Sequence, residues 1–141
     1  MKRLLVLALT IAFGLGATSC SDSTGPGSNL AGIYTLRSVN GVTPPVTLDQ
    51  FGTYRLEVLA GEIQLDANGN YQGTTRYRET SGAFQEIYDD VIVGYWTLSG
   101  NQIALTDINF PNDPYIGTID GNSITLTDFG PSGTITQVFT R

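Results

Sequence analysis

From Leu30 to the end of the chain, apolar and polar residues alternate with a period of two in short bursts broken by turn residues. Tyr54, Leu56 and Val58 alternate with Arg55 and Glu57, and Tyr71, Gly73, Thr75 and Tyr77 alternate with Gln72, Thr74, Arg76 and Arg78. Such a period sends successive side chains to opposite faces of a strand, so the apolar set marks the core face and the charged set the outer one. No window keeps a helical period beyond two turns. The pattern predicts strands over 33–39, 53–59, 62–66 and 71–79, one or two more within 84–98, and others over 102–106, 115–120, 123–127 and 134–140. On this parity Ile63, Leu65, Trp96, Leu98, Ile103 and Leu105 point inward.

The bursts are joined by short turns, among them Asn68-Gly69, the strongest local hairpin signal, Gly100-Asn101, Gly121-Asn122 and Gly130-Pro131-Ser132-Gly133. Eight or nine antiparallel strands joined this way form an up-and-down meander, and a meander of that size manages its edges by closing into a barrel. A β-sandwich is the alternative, since strand count alone does not separate the two. The expected class is therefore all-β, with 30–141 as one domain.

The first 19 residues have a different character. A positive start, Met1-Lys2-Arg3, precedes an apolar run from Leu4 to Leu15 and the small residues Gly16-Ala17-Thr18-Ser19. This is the layout of an export signal, and its apolar run is too short to cross a bilayer as a helix. The single Cys of the chain follows directly. Ala17-Thr18-Ser19-Cys20 resembles the lipobox of bacterial lipoproteins, with Ala17 where Leu is commonest. The resemblance implies that 1–19 is removed and that Cys20 becomes a lipidated first residue, making the bilayer a partner through its acyl chains. An ordinary signal-peptidase site, with Cys20 left as a free thiol, is the alternative. Ser21 to Asn29 holds no apolar residue and both helix breakers, so 20–29 reads as a flexible tether. By the sorting habit of lipoproteins, Ser21 in place of Asp favours outer-membrane attachment.

Charge and inventory narrow the function. Lys2 and Arg3 fall in the leader, so five of the seven cations remain against all 13 acids, a net charge of −8 for the processed chain. A nucleic-acid partner is excluded on that balance, because such binding needs clustered cations. With no His and one Cys, Ser-His-Asp and Cys-His catalysis, His/Cys zinc sites and internal disulfides are ruled out. No cofactor is implied. Enzymatic chemistry would have to rest on carboxylates or Tyr and Arg, and no spaced pair stands out, so a non-enzymatic binding or accessory module is expected, with a structural or protein-interaction lipoprotein whose barrel is filled and holds no ligand as the alternative.

A second resemblance covers most of 30–141. Leu30-Ala31-Gly32-Ile33-Tyr34-Thr35-Leu36, followed by Val39-Asn40-Gly41 and Pro44-Pro45, resembles the opening strand of bacterial lipocalin-like domains, with Tyr34 where a Trp is usual. Gly94-Tyr95-Trp96-Thr97-Leu98 resembles their mid-barrel strand and the segment from Gly117 to Thr127 their late hairpin. The resemblance implies a calycin-type barrel. It also suggests that Arg141 lies across Tyr34, as a late Arg often crosses the first-strand Trp, with a frayed and solvated Arg141 as the alternative.

Five aromatics fall on inward positions: Tyr34, Tyr54, Tyr71, Tyr77 and Trp96. An eight-stranded barrel is just wide enough to be filled by side chains or to hold one small ligand, so these five either plug the interior or line a pocket. Any ligand is expected to be small, largely apolar, and neutral or cationic, because no Arg is assigned inward. Glu86, Asp89 and Asp90 form the densest carboxylate group and Asp107, Asn109, Asn112 and Asp113 another oxygen-rich stretch, yet both read as solvated loop residues. Asp66 to Asn70 superficially resembles a calcium loop but lacks the closing Glu and reads as a hairpin turn. No metal site is expected.

Overall fold

Nine antiparallel strands and one short 3-10 turn, Ser28–Leu30, make up the computed structural model, which describes residues 28–130 and 133–141. The leader, Cys20 and the tether as far as residue 27 lie outside the described residues. The strands are β1 (Gly32–Val39), β2 (Val46–Phe51), β3 (Tyr54–Leu65), β4 (Asn70–Ser81), β5 (Phe84–Ser99), β6 (Gln102–Asp107), β7 (Tyr115–Asp120), β8 (Ser123–Gly130) and β9 (Gly133–Thr140). Neighbours from β2 to β9 pair in sequence order, while β1 pairs β9 on one side and β3 on the other. Eight strands thereby close a barrel, with β2 as an extra strand, which decides against a sandwich.

The two halves of β3 have different partners. Gly32 to Thr35 of β1 pair with Leu65 to Glu62, and Val46 to Phe51 of β2 pair with Val58 to Tyr54. The pattern breaks this segment into strands 53–59 and 62–66, whereas the chain runs through as one. A bulge between Val58 and Ala60 absorbs one residue, so Tyr54, Leu56 and Val58 before it and Ile63 and Leu65 after it all face inward. Gly61 lets the strand continue, since a β-carbon there would press on the Leu36 side chain at 3.2 Å. Likewise 84–98 forms one long strand. β2 lies in the stretch between predicted strands and escapes the pattern because it pairs on one side only and carries a bulge between Thr47 and Asp49 that breaks its alternation.

The core forms where the strands meet around the whole circumference. Tyr34, Ile63, Leu65, Trp96, Ile103, Ile119, Ile124 and Phe139 come from seven strands and are buried together. Burying each such side chain contributes about 1.5–3 kcal/mol. Glu57 is a charged residue buried on the outer side of the wall. It is only 7% exposed, because Arg78 at 2.8 Å and Arg55 at 3.3 Å close over its carboxylate.

At one end of the barrel lie the β3–β4, β5–β6 and β7–β8 turns and the chain's entry into β1; at the other, the walls differ in height. β4 and β5 pair as far as Ser81 and Phe84, roughly 37 Å from the start of β4, but β6 pairs with β5 only from Gly94 onward. The β8–β9 hairpin rises on the opposite side to Gly130 and Gly133. Between these two walls the interior opens.

Candidate functional site

The barrel is solid at the closed end and hollow toward the open one. At the closed end the Trp96 indole, 1% exposed, donates from Nε1 to the Asp66 carbonyl oxygen at 3.0 Å. Tyr34 is fully buried and its hydroxyl donates to the Leu30 carbonyl at 2.8 Å. Arg141 covers this end, its guanidinium 5.3 Å from the Tyr34 ring centroid, and it donates to the carbonyl oxygens of Ala31 and Asn29 and to Asn122 Oδ1. Both aromatics have their polar tips satisfied by backbone and belong to the packed floor. Neither reaches the cavity.

Above this floor is a cavity of about 180 Å³. Ile63, Leu105, Leu126 and Phe139 supply its apolar base, and Tyr71, Tyr77 and Tyr115 its aromatic side. Of the five aromatics singled out in the sequence, Tyr71 and Tyr77 line this space; Tyr54 sits farther out, half-buried near the tip of β3. Tyr71 is placed by a glycine. It pairs across the ladder with Gly94, where a β-carbon would lie 2.9 Å from Tyr71 Cε1 and collide with the Thr106 carbonyl oxygen. The bare backbone of Gly94 is what lets the ring lie flat against β5. Tyr71 itself is 5% exposed, and its hydroxyl is buried without a hydrogen-bond partner. Tyr77 is stacked at a tilt on Tyr88, centroids 5.6 Å apart.

The polar side of the cavity is acidic. Asp90 and Asp128 occupy inner positions on β5 and β8 and line the space, with Gln137 and Thr75 nearby. Asp49, Glu79 and Glu86 fall on the same inner face above it, by their pairing with Leu56 and with one another. Burial, then the carboxylates of Asp128, Asp107 and Asp90, raise the Tyr115 phenol above its ordinary value. Burial and then Asp90 do the same for Tyr77. Tyr71 is pushed up further, by burial first and then by Asp107 and Tyr115. All three phenols therefore stay protonated at neutral pH and present hydroxyl groups.

The arginines are elsewhere. Arg76 forms a two-pronged pair with Asp89 at 2.7 and 2.8 Å, Arg55 and Arg78 hold Glu57, Arg37 donates to Thr140 Oγ1, and Arg141 caps the closed end. None of them lines the cavity. Glu86, Asp89 and Asp90 are thus not one cluster, because Asp89 is outward and paired while the other two share the inner face. Asp107 is buried and ties its own turn, accepting from the backbone and side-chain amides of Asn109 at 2.7 and 3.1 Å; Asn112 and Asp113 stay on the exposed loop beyond. Asp66 to Asn70 is a hairpin turn, closed by Gly69 N–H donating to the Asp66 carbonyl at 3.0 Å. Among the described residues no group of three or more His, Cys, Asp or Glu is placed to hold a metal ion.

Tyr115 and Asp128 are lining residues that pattern reading passes over, and Asp90, read there as a solvated loop residue, lies within β5 and lines the cavity. Their signal was present: Asp90 precedes Ile92 by two and Asp128 follows Leu126 by two, so strand parity extended toward the tips turns both inward. No family model matches the chain, and no curated protein or solved structure matches it.

Proposed function

We propose that this chain is a lipocalin-like bacterial lipoprotein of the cell envelope, tethered through lipidated Cys20, whose barrel binds a small and largely apolar ligand. The observation that carries this reading is the cavity: an apolar pit inside a closed barrel, open at the end away from the chain's entry, with a few phenol and carboxylate groups aimed into it. Apolar walls with a handful of convergent polar groups are the usual make-up of small-molecule sites. At about 180 Å³ it lies below the roughly 300–1,000 Å³ of sites for drug-sized molecules, so the ligand is small. The scattering of the carboxylates, with Asp89 spent on Arg76 and Asp107 on its own turn, supports binding rather than catalysis. Two acyl chains at Cys20 would hold the barrel stably at a membrane, where one would not.

The anchor is tested by expressing the full chain and a Cys20→Ser variant with labelled fatty acid. Label in the wild type alone is expected; equal label in both, or none in either, contradicts it. A second reading, a lipoprotein that engages a protein partner, is favoured by Phe51, Phe84 and Phe129 at the hairpin tips, the first and last 85% and 84% exposed. Replacing all three by Ser abolishes function on that reading and leaves ligand binding intact on the first.

A further inference from the structure

The charges of this domain are sorted by face. Each of its five arginines lies on the outer wall or at the closed end and has a partner there. The inner face of the open end carries Asp90 and Asp128 at the cavity, and neither forms an ion pair among the described residues. Beside them Tyr71 is more than nine-tenths buried and its hydroxyl has no partner. Unpaired carboxylates beside tyrosine faces make the complementary demand, a positive charge, and repel a negative one.

We propose that the open end of the barrel is a site for a small organic cation, an amine or quaternary ammonium on an apolar body. The positive head is held by the Asp90 and Asp128 carboxylates beside the rings of Tyr77 and Tyr115, and the apolar end descends toward Leu105 and Leu126. Among the described residues no three His, Cys, Asp or Glu side chains converge as metal ligands, and the floor is hydrocarbon. This inference rests on the reading of the cavity as a ligand site and adds the charge of what enters it.

The test compares two molecules of one shape, phenyltrimethylammonium and its uncharged isostere tert-butylbenzene, titrated calorimetrically into the purified full-length protein. The cation is expected to bind about tenfold or more tightly than the isostere, as carboxylates and tyrosine faces acting on one charge would give. An Asp90→Asn, Asp128→Asn double variant brings the two affinities together, while Asp89→Asn, which breaks only the outer pair with Arg76, leaves the preference in place. Raising salt from about 0.02 to about 0.5 M weakens the cation alone, a check that needs no variant to fold. Equal affinity for both molecules, or a preference untouched by the double variant and by salt, overturns the cation site but leaves the cavity reading standing. If neither molecule binds, both fall.

Discussion

The Arg141 guanidinium stands over the Tyr34 ring at 5.3 Å, so the last residue of the chain seals the first strand of the barrel. Three further contacts fix it: to the Ala31 carbonyl at 2.9 Å, to the Asn29 carbonyl at 2.7 Å and to Asn122 Oδ1 at 3.1 Å. These tie the chain's entry, its end and the β7–β8 turn into one cap. Arg141→Ala is expected to lower stability by about 1–2 kcal/mol, from a partly solvated cation–π contact and charge-assisted hydrogen bonds. Urea unfolding checks this, and an unchanged midpoint would mean that the terminal residue is merely solvated.

Gly94 and Gly73 both face inward beside Tyr71, and the geometry separates them. A β-carbon at Gly94 meets the Thr106 carbonyl and the Tyr71 ring, whereas at Gly73 the nearest atom is Tyr71 Cε2 at an ordinary 3.8 Å. Gly94→Ala should cost about 3 kcal/mol or more, because backbone has to move. Gly73→Ala should be neutral or stabilising by up to about 1 kcal/mol, since alanine restricts the unfolded chain more than glycine does. Similar losses for the two would place the Tyr71 ring elsewhere.

Glu57 predicts the acid limb of stability. Its hydrogen bond from Arg78 outweighs burial, and with the nearby Arg55 it holds the carboxyl below its ordinary value. A group depressed in the folded state stabilises fully above its unfolded pKa, about 4.3 for Glu, and the contribution is lost as pH falls through the folded value. Asp89 beside Arg76 is lowered in the same direction, but that pair is exposed and screened. Stability measured from neutral pH downward should therefore fall below about pH 4 in the wild type and fall less steeply in Glu57→Gln. Identical acid limbs would contradict the assignment.

Much of this fold was legible in the sequence because alternation and turn residues are local signals. The inward positions of Tyr34, Tyr71, Trp96, Ile103 and Leu105 follow from a period of two and the knowledge that charges avoid a dry interior. What escaped depends on contacts between distant segments. The bulge after Val58 lets two apparent strands fuse, and β2 has meaning only as the strand that takes over the β3 edge where β1 leaves it. The cavity escaped for the same reason. Whether five inward aromatics fill a barrel or line it depends on how high each sits, and the structure puts Tyr34 and Trp96 in the floor and Tyr71 and Tyr77 above it.

Tyr71 gives a prediction of opposite sign to most core substitutions. Its buried hydroxyl has no partner, so Tyr71→Phe removes a desolvated polar atom and keeps the ring. The variant without ligand should gain about 1 kcal/mol in thermal or urea unfolding. A loss of that size would show that the hydroxyl is satisfied in solution by an ordered water.

The cavity is the proposed binding space, and Gly73 offers the most direct way to close it. Gly73 lines the cavity, no backbone blocks a side chain there, and Gly73→Leu places a hydrocarbon group into the space. The measurement is a calorimetric titration of wild type and Gly73→Leu with tert-butylbenzene, with the melting temperature of each recorded alongside. Saturable one-to-one binding by the wild type, lost in a Gly73→Leu variant that melts no lower, is the predicted result. No saturable binding by the wild type, or undiminished binding by a folded Gly73→Leu, would contradict the claim that this barrel holds its ligand inside.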